Sequence, residues 1–260
     1  MTAPTAPVVS QLAQTNLQLF QQMHRNGYPG AEVAVLASAY RAMMSLFANR
    51  FRSCGTPFVV HLVATSAVLV WLKLPIHVVL AGLAHAVYQE GDFPNSLEGM
   101  TPRKRQWLTK AIGTEAEALV ATYTVGSRSV NGIRASHARF AQMSFAERHV
   151  LRMQLANELD DYRDLAANHA ANADERISAI RQTATLQVEM ARWLGHSQLA
   201  QALQETYALA MAASVPAALM SPFAEAHPIL PNSCRIRPNI LARRLGVKIR
   251  NRLRRHFGIG

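Results

Sequence analysis

Two neighbouring stretches without a single Lys, Arg, Asp or Glu constrain this chain most: residues 53–72 and residues 74–89, separated only by Lys73. Runs of that kind are buried either as a membrane hairpin or as two helices at the centre of a helical core. The hairpin is disfavoured, because the runs hold Gly55, Pro57, His61, Pro75, His77 and His85, and polar groups at membrane depth are costly. Two core helices fit better. Each would have a proline near its start, Pro57 or Pro75, where the missing N–H costs little.

Helical spacing continues on both sides. Leu12, Leu17, Phe20 and Met23 predict a first helix ending near Asn26-Gly27, and Val35, Ala39, Met43 and Phe47 mark a stripe along a second over residues 31–51. A loop is expected over residues 90–100. Thr101-Pro102 then reads as N-cap and first helical residue, with helices over 101–112 and 114–123. Residues 126–142 are polar and read as irregular. Ser144 with Glu147 forms a capping box that opens a long helix to about residue 168. Residues 174–194 and 197–213 form a pair around Gly195, and residues 216–231 are a proline-rich connection. No alternating strand or internal repeat interrupts this, so the class is all-α.

At 260 residues the chain is ample for a buried core, and 13 Gly with 12 Pro exclude collagen-like or low-complexity chains. Cys54 and Cys234 are far apart and form no metal or redox motif, which excludes a disulfide framework and fits a reducing cytosol. The first nine residues lack a basic region and a long apolar core, so no signal peptide is expected and the expected location is cytoplasmic.

The net charge of +11 is concentrated at one end. No acidic residue follows Glu225, and nine Lys or Arg lie in residues 235–255. Leu241, Leu245, Ile249, Leu253 and Phe257 recur every four residues among them. A basic amphipathic helix over residues 239–260 suits an anionic membrane surface, giving a cytoplasmic protein peripheral to the membrane, or packing on the body of the protein. Nucleic acid is not an expected partner, since there is no groove-reading motif or set of stacking aromatics. Arg103, Lys104 and Arg105 fall in the first turn of a helix, against its dipole, and read as solvated charge or an anion-facing surface.

Three segments carry chemistry. Arg52-Ser53-Cys54-Gly55-Thr56-Pro57-Phe58-Val59-Val60-His61 comes first. Ala81-Gly82-Leu83-Ala84-His85-Ala86-Val87-Tyr88 follows, and then Leu155-Ala156-Asn157-Glu158-Leu159-Asp160-Asp161-Tyr162-Arg163. In that order they resemble the metal-site segments of the HD-domain superfamily, most closely the hydrolase domain of the RelA/SpoT (p)ppGpp enzymes, over residues 31–168. The stretch from Ile112-Gly113 to Val120 is also similar, and the chain resembles bacterial relatives of that family whose function is unknown.

The resemblance implies an HD-like helical bundle over residues 31–168. With the helical spacing and charge pattern on either side, the chain divides into residues 1–30 (N-terminal helix), 31–168 (HD-like domain), 169–215 (helical extension) and 216–260 (proline-rich linker and basic amphipathic helix). The resemblance also implies a divalent metal, usually manganese, on two histidines and two aspartates. Here the histidines are His61 and His85, but the aspartate positions hold Ala86 and Asn157. The acidic pair that activates water in the family falls on Gln89 and Glu90.

His61, His85 and Asn157 offer a hard cation no negative charge, so manganese or magnesium affinity should fall by orders of magnitude. Asp161, one turn beyond Asn157, is the rescue: two His with one carboxylate can hold zinc or iron. Glu90 and Asp161 are the catalytic candidates, Arg52 and Gln89 the ligand-binding ones. Asp160 could reach the site less easily than Asp161, and with Asp164 it reads first as an ordinary polar face with Arg163. Two classes stay open: a catalytically silent protein that binds a nucleotide, another phosphorylated ligand or a partner, and a metal-dependent phosphohydrolase with an altered ligand set.

Overall fold

The computed structural model describes residues 12–94 and 99–229. The elements among them are helices α1 (Asn16–Arg25), α2 (Gly30–Phe47), α3 (Phe58–Trp71), α4 (Ile76–Ala84), α5 (Val87–Glu90), α6 (Pro102–Ile112), α7 (Thr114–Val125), α8 (Val130–Ala138), α9 (Phe145–Arg163), α10 (Ala173–Trp193) and α11 (Ser197–Ala212). Among the described residues, strands are confined to the two-residue stretches Arg50–Phe51 and His227–Pro228, with one isolated bridge between Phe51 and Pro57. The all-α class holds. The chain divides into two units between His227 and Pro228, and the described helices all belong to the first. The basic amphipathic stripe of residues 239–260 lies outside the described residues, as does Cys234.

Helix α3 is the centre. It is apolar on every side, and its residues from His61 to Val70 are all buried, as expected for a helix packed all round. It packs on α4, α9 and α1, and α4 packs in turn on α7 and α2. The α3–α4 approach depends on Gly82, where a Cβ would lie 2.2 Å from the Leu69 Cδ1 atom. α10 and α11 form a hairpin around Gly195, whose φ of 83° needs glycine, and the hairpin packs on α8 and α9. The uncharged runs therefore form helices of 14 and 9 residues inside a helical core. No helix among the described residues is long and apolar enough to cross a membrane.

The capping predictions match local geometry. The Ser144 hydroxyl accepts from the Glu147 N–H and the Glu147 carboxylate accepts from the Ser144 N–H, while Thr101 caps the Lys104 N–H. Four boundaries differ. α2 stops at Phe47, and Arg50–Phe51 are extended. The helix expected from Pro75 to Tyr88 breaks at His85-Ala86, where the His85 ring donates to the Gly82 carbonyl at 2.8 Å and competes with the backbone N–H one turn on. Residues 126–142 contain α8, a helix with no buried residue and hence no apolar period to read. α9 ends at Arg163, because Leu165 turns left-handed at φ 57°.

Candidate functional site

Four parts of the fold converge on one cavity of about 620 Å³. The turn before α3 supplies Arg52, fixed by its N–H to the Thr56 carbonyl (2.9 Å) and by the Gly55 N–H to its own carbonyl (2.8 Å). Gly55 sits at φ 89° in that turn. α3 supplies His61, and the α4–α5 junction supplies His85, Ala86, Gln89 and Glu90. α9 supplies Asn157 and Asp161, one turn apart on one face. Arg50, Arg128, Arg176 and residues 224–226 complete the wall.

The two histidines sit at the bottom. Their Nε2 atoms are 3.2 Å apart. The His85 Nδ1–H donates to the Gly82 carbonyl, leaving Nε2 as an acceptor, and burial together with the neighbouring His61 holds its pKa well below the ordinary range. His61 Nδ1 is 2.6 Å from Asp160 Oδ2. Both nitrogens of His61 are thus within hydrogen-bond distance of a partner, Asp160 on one side and His85 on the other.

The carboxylates beside them are already engaged by cations. The Arg52 guanidinium donates to Asp161 and lies 3.8 Å from Asp160. Arg176 is 3.8 Å from Asp161, and Arg163 is 3.6 Å from Asp160. Burial works to raise the Asp161 carboxyl, but Arg52, His61, Arg176 and Arg128 together pull it down to about 2. Burial works to lower the Arg52 pKa, and Asp161 and Asp160 more than reverse it. Glu158, on the same helix, is pushed up to about 7 by burial and by Asp161. Asn157 donates to Asp161 at 3.2 Å and accepts from the Tyr123 hydroxyl at 3.3 Å. Arg128 donates to that hydroxyl at 2.9 Å.

His61, Asp160 and Asp161 form a buried group that could hold a metal ion, with one ligand atom each within 4.8 Å of the others. The surroundings do not fit a hard dication. Both carboxylates are neutralised by guanidinium groups, a cation would displace Arg52 from them, and Ala86 and Asn157 add no charge. The donor types suit zinc or iron better, and then only if Arg52 and the His61–His85 contact give way.

All the sequence candidates meet here. Arg52, His61, His85, Gln89, Glu90, Asn157 and Asp161 line the one cavity. Two of them are tied to arginines, Asp161 to Arg52 and Glu90 to Arg50 at 2.5 Å. Asp160 corrects the expectation of an ordinary polar face: it is buried against His61. Sequence reasoning also missed Arg128 and Arg176, which lie outside the three segments and follow no local pattern.

A family model described as "Domain of unknown function (DUF6817)" matches residues 42–128. A solved structure of a metazoan ortholog of SpoT, described as hydrolysing ppGpp and playing a role in starvation responses, is similar at 18% identity and a TM-score of 0.49. The match covers 70% of this chain and 96% of that one. No curated protein matches.

Proposed function

We propose that this protein is an HD-like domain that has exchanged a metal centre for an anion-binding pocket, and that it binds a nucleotide or another phosphorylated ligand without hydrolysing it. One observation carries this reading: the buried carboxylates next to the histidine pair are already paired with arginines, while Arg128 and Arg176 also face the cavity. The wall carries four arginines against the carboxylates of Glu90, Asp161 and Glu225. Arg128 makes no ion pair among the described residues. Planar guanidinium groups suit phosphate oxygens. The order of the three segments on α3, the α4–α5 junction and α9 supports the HD-like reading.

Calorimetric titration with pyrophosphate and with a panel of nucleotides tests the pocket. Binding should weaken at least about tenfold in Arg128→Met and Arg176→Met. Elemental analysis of the purified protein should find no stoichiometric manganese, and ppGpp should survive incubation with it. About one manganese per chain, or ppGpp turnover that requires added metal, overturns the proposal. The double substitution Ala86→Asp with Asn157→Asp should raise manganese affinity.

One observation favours the second reading, a phosphohydrolase with an altered ligand set. The two Nε2 atoms face each other, with each Nδ1 tied to an acceptor, as in the carboxylate–histidine pairs behind metal ligands. A metal there would lower the pKa of a bound water. Stoichiometric zinc or iron together with phosphatase activity would favour it. For residues 239–260 the proposal is contact with an anionic membrane, resting on the sequence pattern alone.

A further inference from the structure

The three basic residues of the first turn of α6 have different fates. Arg105 makes a double hydrogen bond to Glu117, at 2.7 and 2.8 Å. Arg103 is exposed. Lys104 is only 7% exposed, and among the described residues its ammonium has neither a hydrogen-bond nor an ion-pair partner. It lies over the Phe93 ring, 4.8 Å from the centroid. A single aromatic face is a weak partner for an ammonium compared with an anion.

Lys104 lines a second cavity of about 360 Å³, separate from the histidine site and at the small end of ligand-pocket sizes. Its walls are the end of α2 at Ser45 and Leu46, the loop residues Asp92, Phe93 and Pro94, and the start of α6 through Trp107. Phe93 and Trp107 meet edge to face, with centroids 5.4 Å apart, and form an aromatic corner. Arg103 and the amino end of an 11-residue helix add positive potential. Asp92 is an opposing charge among the described wall residues. It makes no ion pair with Lys104, and its N–H is anchored to the Leu46 carbonyl at 3.0 Å.

We propose that this cavity binds a small flat aromatic anion, with its ring against Trp107 and Phe93 and its carboxylate or phosphate on Lys104 and Arg103. The proposal is independent of the histidine site, because no residue is shared between the two cavity walls.

Trp107 supplies the readout. The full-length protein is titrated with 4-nitrobenzoate, 4-nitrophenyl phosphate and the neutral 4-nitrobenzyl alcohol, and quenching is compared with that of Trp107→Phe to isolate the Trp107 contribution. Saturable quenching is expected from at least one anion, with the alcohol at least about tenfold weaker. The two anions distinguish a carboxylate site from a phosphate site. Lys104→Met should weaken the anion by about tenfold and leave the alcohol unchanged. Equal affinity for anion and alcohol, or no saturable Trp107 response, overturns the proposal. The comparison of charged with neutral probes uses the unaltered protein, so it decides even if Lys104→Met fails to fold. A phosphate probe that binds without quenching Trp107 reports the arginine pocket instead.

Discussion

Replacing Arg52 with Met keeps most of the side-chain stem and removes the guanidinium that neutralises Asp161 and Asp160. Holding the Asp161 carboxyl at about 2 instead of its ordinary 3.8 corresponds to about 2 kcal/mol at neutral pH. Asp160 loses a neighbour as well, and breaking a buried pair from one side costs roughly 3–5 kcal/mol. Arg52→Met should therefore destabilise by about 3 kcal/mol and lower Tm by about 10 °C, the scale expected for a chain of this size. Asp161→Asn removes the other partner, and the double variant should be more stable than the sum of the single costs by about 2 kcal/mol.

Urea unfolding followed by circular dichroism measures all four corners of the cycle. The pH dependence has a definite sign. A depressed carboxyl contributes stability above its ordinary pKa and loses it as pH falls through the depressed one. The gap between wild type and Arg52→Met should thus narrow between about pH 4 and pH 2. Strict additivity, or a Tm loss below about 2 °C, would refute a charge-compensated pocket and leave Arg52 as a solvated residue.

Glu158 behaves in the opposite sense. Its carboxyl is raised to about 7, so it contributes stability below its ordinary 4.5 and loses it as pH climbs through 7. Glu158→Gln should flatten the fall in stability between about pH 5 and pH 8, a change of about 2–3 kcal/mol in urea titrations. Deleting residues 235–260 should leave the helical signal and Tm of the body nearly unchanged and abolish salt-sensitive co-sedimentation with anionic vesicles. Equal vesicle binding by both proteins removes the membrane role, and a large Tm loss assigns the stripe to self-packing.

The parts of the fold that could be read in advance are those with local signals. The Ser144–Glu147 box, the Thr101 cap and the two prolines before the central helices are short-range chemistry, and each marks a helix start to within a residue or two. α8 had no such signal on its apolar side, since none of its residues is buried and its existence depends on packing against α10. The left-handed turn at Leu165 uses no glycine, so nothing in the sequence announced the end of α9. At the site, the histidines and Asn157 were legible through motif order. The burial of Asp160 was not, because it is imposed by His61 and Arg52, which come from distant parts of the chain. Asp160 looks like part of a polar helix face until those partners are placed.

Gly82 gives the histidine pair a separate origin from any ligand. Its missing side chain lets α4 settle against Leu69 of α3, and its carbonyl orients the His85 ring toward His61 on that same α3. The spacing of the imidazoles is thus a by-product of how two core helices nest, enforced by the same close packing that keeps the bundle folded. A chain built this way presents both rings side by side whatever acids stand around them. The hydrophobic core alone keeps the two histidines in register, so their pairing reports on packing before it reports on chemistry.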